Sequence, residues 1–102
     1  MCYKDIVIFV SYLIWDEGNV AHIARHNVLP GEVEEVCAAD PLVQQGKKGR
    51  LAVVGLTTKG RMLKIILAPK DKEGVYYPVT AHPAGRKDRR LYRLEKGGEQ
   101  AA

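Results

Sequence analysis

Three strand-like runs follow one another in the second half of the chain with only short turns between them. The runs at residues 51–57, at residues 62–68 and from Val75 onward are rich in β-branched, aliphatic and aromatic residues, which favour strands. The first turn contains Gly60, a residue that readily adopts the positive φ of a tight turn. Because strands joined by short connections tend to lie side by side, the sequence predicts a three-stranded antiparallel meander.

The chain before the meander is predicted to contain one strand and two helices. Residues 5–14 form a continuous apolar run that is typical of a buried strand, although its periodicity also fits a helix. Asp16 is a suitable N-cap for a helix over residues 17–26. Pro30 favours the first turn of a second helix, which Asp40 and the proline after it are expected to end.

A third helix is predicted after the meander, from near Ala84 to about Glu95, and the polar residues 44–50 are predicted to form a loop. Helices that pack on one face of a sheet make an α+β domain, which is the fold class that this order of elements predicts. The 102 residues are enough for one such domain, over residues 1–96, with residues 97–102 as a disordered tail.

The last strand of the meander leads directly into the third helix. Pro78 cannot donate a backbone hydrogen bond, so it predicts an edge position or a bulge. The strand is expected to end at Ala81-His82-Pro83, because Pro83 favours an extended His82. A titratable imidazole is therefore expected at a strand end, next to a helix rich in guanidinium groups. Taken alone, such a helix is commonly a solvated face and a single histidine is commonly structural.

The cysteines and the apolar runs exclude several classes of protein. Cys2 and Cys37 are far apart and lack CxxC spacing, so they predict neither a disulfide framework nor a standard zinc site. Cys37 is expected to be a buried thiol in the second helix. The apolar run at residues 6–15 is too short for a bilayer, which needs roughly 20 apolar residues, and no signal-peptide cleavage pattern follows it. We expect a cytoplasmic protein with no membrane contact.

The charges are divided unevenly along the chain. The net charge is +4, yet residues 1–40 hold two basic and seven acidic side chains, a net −5, so that the remaining residues carry +9. An acidic first part and a basic second part indicate one surface that faces a polyanion.

Two histidines on the first predicted helix share one face. His22 and His26 are four residues apart, which is one helical turn and also a metal-ligand spacing. Together with His82 they could form an open three-histidine site. The preferred interpretation is that they make structural hydrogen bonds or line one wall of a site.

The two predicted N-terminal helices also suggest a helix–turn–helix that binds DNA. The second of them carries Glu32, Glu34 and Glu35 and no basic residue. Carboxylates are repelled by the phosphates that line a DNA groove, so the charges argue against this function.

Cations and aromatic side chains are expected to meet on the meander and the third helix. This combination suits single-stranded RNA, whose phosphates pair with cations and whose bases stack on rings. No Asp/Glu cluster suitable for a catalytic metal is present, so we predict no cofactor and cleavage, if any, without a metal. The residues concerned are Arg61, Lys64, Tyr76, Tyr77, His82, Arg86, Arg89 and Arg90.

The order and spacing of four blocks resemble the BrnT-type toxin family. The blocks are WDEGNVAHIARHNVLPGEVEEV, DP, TTKGRMLKIIL and YYPVTAHPAGRKDRRLY, and the resemblance covers about residues 14–93. Family sequences usually have Gly where Asn27 stands, and both residues accept the left-handed conformation. They usually have Arg where this chain has His82, which replaces a phosphate-binding cation with an acid/base group.

The resemblance implies a RelE-like ribonuclease from a type II toxin–antitoxin system, with RNA and a cognate antitoxin protein as partners. It implies cleavage of mRNA by 2′-hydroxyl attack, on the ribosome or on free RNA. In this chain His82 is expected to act as the acid/base group, with Arg61 and Arg86 binding the scissile phosphate. The expected RNA-binding residues are Lys64, Tyr76, Arg89, Arg90 and Tyr92, and His22 and His26 are the expected site wall.

Two other functions stay open at this point. A RelE-like domain could bind RNA or a partner protein without cutting, and the His82 substitution is the reason to retain this alternative. A small structural interaction module would have no RNA affinity at any salt concentration. The RNA sequence preference, the need for ribosomes and formation of a homodimer are left open by the sequence.

Overall fold

The computed structural model describes residues 8–97, and these residues form an α+β fold, as predicted. The strands are β1 (Tyr12–Leu13), β2 (Leu42–Gln45), β3 (Leu51–Leu56), β4 (Met62–Pro69) and β5 (Val75–Pro83). The helices are α1 (Glu17–Ala24), α2 (Pro30–Ala38) and α3 (Arg86–Tyr92), with a 3-10 turn at Lys47–Gly49 and a π-helical turn at Arg93–Gly97. Cys2, residues 5–7 of the predicted first strand and residues 98–102 of the predicted tail lie outside the described residues.

Within residues 8–97 the sheet has five strands in the order β1-β5-β4-β3-β2, one more than the four predicted strands, so the predicted three-stranded meander is only part of the sheet. The predicted meander is present, because β3, β4 and β5 pair antiparallel in sequence order. One further strand lies at each edge. β2 pairs antiparallel with β3, and β1 pairs parallel with β5 through only two residues.

β2 occupies part of the segment that was predicted to be a loop. Leu42 and Val43 are buried, whereas Gln44 and Gln45 pair with β3 at an outer edge of the sheet. An edge strand tolerates polar side chains because it has a neighbouring strand on one side only. The two glutamines interrupt the apolar pattern that predicts a strand, and for this reason β2 was predicted as part of a loop.

Helices α1 and α2 cover one side of the sheet, and α3 packs on the other. Successive side chains of a strand project to opposite sides, so Leu63 of β4 faces α1 and α2 while its neighbour Met62 faces α3. The first side holds the main core, in which Ile23 of α1 and Val33 of α2 are fully buried. The sheet residues that they cover include Val53, Leu63, Ile65, Leu67 and Ala81.

The ends of the N-terminal helices follow local sequence signals. The Asp16 carboxylate accepts the Asn19 N–H at 2.8 Å, and the Asn19 side chain accepts the Asp16 N–H at 2.9 Å. This reciprocal cap starts α1 where it was predicted to start. α1 ends at Ala24, two residues before the predicted end, and Asn27 takes the expected left-handed conformation with φ of 61°. Pro30 is the first residue of α2, as predicted.

β5 contains the bulge that Pro78 predicted. The register with β4 shifts between Ile66 and Leu67, and Leu67 pairs with Pro78. The strand then continues to Pro83, so His82 lies at the end of β5, as expected. The bulge restores the alternation that keeps Ala81 in the main core and His82 on the side of α3.

Cys37 of α2 is only partly enclosed by its neighbours, but removal of the thiol from water raises its pKa to about 12. Its thiol is therefore protonated at neutral pH and unreactive. Within residues 8–97, no helix is both long enough and apolar enough to cross a lipid bilayer.

Candidate nucleic-acid interface

Three histidine side chains form a row beside the end of β5. The ring centroids of His22 and His26 are 5.6 Å apart, and those of His26 and His82 are 5.8 Å apart. The His22 Nε2 atom lies 3.0 Å from the Thr80 hydroxyl, which holds the first ring against β5. Of the two residues predicted to line one wall of the site, His26 is therefore next to His82, and His22 is next to His26.

His82 lies opposite a lysine in the sheet and is partly exposed. It pairs directly with Lys64 of β4, so both side chains project from the same side of the sheet. The His82 Nδ1 atom lies 3.0 Å from the carbonyl oxygen of Pro83. Because a carbonyl oxygen only accepts, Nδ1 carries the proton in this contact, and Nε2 of the neutral ring keeps its lone pair. That lone pair can accept a proton from a substrate.

α3 presents most of the predicted RNA-binding cations. Arg86, Arg89 and Arg90 are exposed. Asp88 of the same helix forms an ion pair with Lys64 at 3.5 Å, which attaches α3 to the strand next to His82. The basic helix and the His82–Lys64 pair consequently share one side of the sheet.

Arg61 was predicted to bind phosphate, but its guanidinium is bound by the loop between α1 and α2. The Arg61 Nη1 donates to the Asn27 carbonyl oxygen at 2.6 Å and to the Glu32 carboxylate at 2.9 Å. Partial burial favours a higher pKa for Glu32, but hydrogen bonds from the Leu29 N–H and from Arg61 outweigh it and lower the pKa. The structure therefore gives Arg61 a carboxylate partner and a role in fixing the loop.

The two tyrosines predicted to stack on bases have different surroundings. Tyr76 is six positions before His82 on β5, about 20 Å along the strand, and it packs against the main core. This separation removes Tyr76 from the surface around His82. Tyr92 packs on Met62 and Ala84 and, with Arg89, lines a depression of about 320 Å³.

The sequence reasoning missed a second basic surface. Lys47, Lys48 and Arg50 of the loop between β2 and β3 line a pocket of about 480 Å³, together with Lys64. The signal is present as the basic string QQGKKGR, but its composition predicts only a polar loop. What the string could not reveal is that the loop lies over the same side of the sheet as Lys64.

The three histidines do not form a metal site. Among residues 8–97, no group of three His, Cys, Asp or Glu side chains is arranged to hold a metal ion. The three-histidine metal alternative therefore has no support from the geometry.

No protein-family model, curated protein or solved structure matches this chain. The resemblance to the BrnT-type toxins consequently stays a prediction.

Proposed function

We propose that this protein is a RelE-like endoribonuclease that needs no metal ion and acts as the toxin of a type II toxin–antitoxin system. The observation that carries the proposal is the contact between His26 and His82, whose rings are 5.8 Å apart beside Lys64. Two imidazoles at this separation can act as the base and the acid of one reaction, and the lysine supplies positive charge for the phosphate.

The proposed reaction is an attack of the RNA on its own backbone. One imidazole removes the proton of a 2′-hydroxyl, and the oxygen then bonds to the adjacent phosphorus. The bond between phosphorus and the 5′-oxygen breaks, and the second imidazole, in its protonated form, donates a proton to that oxygen. The products are a cyclic 2′,3′-phosphate and a 5′-hydroxyl, so neither a redox partner nor water is consumed.

The tautomer of His82 favours its assignment as the base. Its Nδ1 is engaged by the Pro83 carbonyl oxygen, which leaves the Nε2 lone pair to take the 2′-hydroxyl proton. His26 is then the acid. Lys64 and Arg86 bind the scissile phosphate, and Arg89 and Arg90 attract the RNA strand. Arg61 is left out of this set because its guanidinium donates short hydrogen bonds, of 2.6–3.1 Å, to the Asn27 carbonyl oxygen and to both Glu32 carboxylate oxygens. The ion pair of Lys64 with Asp88 is longer, at 3.5 Å, and an ammonium group has three donors, so Lys64 is retained.

Cleavage of a fluorescent RNA by single-residue variants tests the proposal. A general acid or base contributes about 10²–10⁴-fold in rate, so His82→Ala and His26→Ala should each lower kcat/KM by at least about 100-fold. The wild-type kcat/KM should have a bell-shaped dependence on pH, and each variant should lose one limb. His22→Ala removes the imidazole at the far end of the row and should have a much smaller effect. Arg86→Ala should weaken both cleavage and RNA binding.

Two results of this assay would overturn the proposed mechanism. Cleavage by His82→Ala at the wild-type rate would remove His82 from the reaction, and loss of wild-type cleavage in EDTA would require a metal ion. Growth arrest when the protein is expressed in a heterologous bacterium, relieved by His82→Ala, tests the toxin role separately.

A second candidate function is RNA binding without cleavage. The engagement of Arg61 by Glu32 favours it, because one cation fewer is available for the charge that develops on the phosphate. The same assay separates the two functions, since a non-catalytic domain would bind the RNA with unchanged affinity in wild type and His82→Ala and would leave it intact.

The proposed partners are compatible with the same basic surface. A toxin that acts on mRNA, free or on the ribosome, would work in the cytoplasm and would need an antitoxin protein to silence it. An antitoxin with acidic side chains would cover α3 and the neighbouring sheet surface, blocking RNA through opposite charge.

A further inference from the structure

The pocket beneath the loop between β2 and β3 is rich in cations. The pocket is lined by three exposed basic residues of the loop, Lys47, Lys48 and Arg50. Lys64 of β4 lines it from the sheet. No acidic residue lines the pocket within the part of the chain that the structure describes. Its volume of about 480 Å³ lies within the usual range of ligand pockets, roughly 300–1,000 Å³.

The backbone of the loop is held in one compact conformation. The Gly46 N–H donates to the Arg50 carbonyl oxygen at 2.7 Å, and the Arg50 N–H donates to the Lys47 carbonyl oxygen at 3.0 Å. Lys48 and Gly49 both have positive φ, 59° and 77°, which reverses the chain within these few residues. The three basic side chains therefore start from a turn that is closed by its own hydrogen bonds, rather than from an extended loop.

The floor of the pocket is apolar and is continuous with the proposed active site. Ala52 of β3 and Ile66 of β4 are paired neighbours in the sheet and both line the pocket. Lys64 lies two residues from Ile66 on the same strand face and opposite His82. Lys64 thus belongs to both surfaces. Three strand spacings of about 4.8 Å, or roughly 14 Å, separate β5 from β2 across this face.

We infer that this pocket is a second anchoring site for the RNA strand, which holds a phosphodiester about three strands away from the scissile one. A nucleotide combines an anionic phosphate with sugar and base faces that can lie on apolar side chains, and the pocket combines a cationic rim with an apolar floor. The inference rests on the proposed function, because it takes the ligand to be the same RNA that is cut beside His82.

The test is binding of 2′-O-methyl RNA, which lacks the attacking hydroxyl and so stays intact during the measurement. Fluorescence anisotropy is recorded over a series of salt concentrations with a long oligonucleotide of about sixteen residues, the upper end of the range of site sizes in single-strand-binding folds. Lys48→Gln and Arg50→Gln are compared with Lys59→Gln, which removes the same charge from the turn at the other end of β3, outside the pocket.

For the long oligonucleotide, Lys48→Gln and Arg50→Gln should each weaken binding, and the slope of log affinity against log salt should become shallower by about 0.7 per lost phosphate contact. Lys59→Gln should leave that slope unchanged. Cleavage of unmodified RNA should also be unaffected by Lys59→Gln.

The failures of the two proposals are distinguishable. If wild type binds the long oligonucleotide and the pocket variants have the wild-type slope, the second anchoring site is refuted while the proposed function stands. If wild type binds no RNA at low salt, or binds polyglutamate in its place, both are refuted.

Discussion

At the scale of single residues, Arg61 is the side chain whose contacts in the structure differ most from its predicted role in binding phosphate. Its guanidinium is joined to the Glu32 carboxylate and to the Asn27 carbonyl, so it ties the turn before β4 to the loop between α1 and α2. The pKa of Glu32 is lower in the folded chain than its ordinary value of 4.5, because the raising effect of burial is outweighed by the hydrogen bonds that the Leu29 N–H and Arg61 donate to the carboxylate. The contact therefore stabilises the fold above that value, and this contribution is lost as the pH falls through the folded-state pKa.

Arg61→Ala should lower the free energy of unfolding by about 1–2 kcal/mol at pH 7, because it removes charge-assisted hydrogen bonds from a partly exposed pair. The difference in free energy of unfolding between wild type and Arg61→Ala should shrink as the pH falls through the folded-state pKa of Glu32, because a protonated Glu32 no longer forms an ion pair with Arg61. Urea unfolding at pH 7 and near pH 3 measures both effects, with Lys72→Ala in the turn between β4 and β5 as the control. If folded Arg61→Ala instead keeps wild-type stability and loses RNA cleavage, Arg61 binds the scissile phosphate after all.

At the scale of the elements, close packing between α2, the segment after it and β3 depends on a glycine. A Cβ atom added at Gly55 would lie 3.0 Å from both the Pro41 Cβ and the Val36 Cγ1. Gly55 is therefore required for the approach of α2 to the sheet. By contrast, a Cβ added at Gly31 in the first turn of α2 would meet nothing within 4 Å.

The two glycines should respond to alanine with opposite signs. Gly55→Ala should destabilise the protein by about 1–3 kcal/mol through overpacking. Gly31→Ala should stabilise it by up to about 1 kcal/mol, since alanine loses less backbone entropy in a helix. Thermal and urea unfolding of the two variants measures the difference. Equal effects would show that backbone entropy alone governs both positions.

The elements that sequence reasoning predicted well are those with strong local signals. The meander, the cap at Asp16 and the start of α2 at Pro30 each depend on residues close together in the chain. β2 was missed because two of its four residues are glutamines, which leave little apolar pattern. A strand was predicted where β1 lies, but its edge position and parallel pairing depend on residues of β5 far along the chain. The contact of His82 with His26 was anticipated only as a site wall, and the turn of Arg61 toward Glu32 depends on a loop position that no local pattern specifies.

At the scale of the whole molecule, the division of charge along the chain becomes a division between surfaces. The acidic residues of the first 40 positions lie largely on α1 and α2, which cover one side of the sheet. The cations of α3 and of the loop between β2 and β3 border the other side, around Lys64 and His82. A polyanion should therefore bind to the side of the sheet that carries α3, and its affinity should depend on the charges of that side more than on the net charge of the protein.

Charge reversal at two positions distinguishes RNA binding to one basic surface from a response to the net charge of the protein. Arg90→Glu on α3 should lower the association constant for single-stranded RNA by on the order of tenfold at low salt. Lys72→Glu makes the same change of net charge on the turn at the opposite end of the sheet and should have little effect. Equal losses in the two variants would mean that RNA responds to net charge alone. The effect of Arg90→Glu should fade at high salt, where exposed charges are screened.

The parallel pairing of β1 has a consequence for the order in which the protein is made and assembled. Ser11 bonds to Gly74, 63 residues later, and Tyr12 and Leu13 pair with the two residues that follow Gly74. β1 can pair only after β5 has been synthesised, whereas β3, β4 and β5 can pair as adjacent segments. We therefore expect the pairing of β1 to be slower than assembly of the meander, because it must close the long loop between Ser11 and Gly74.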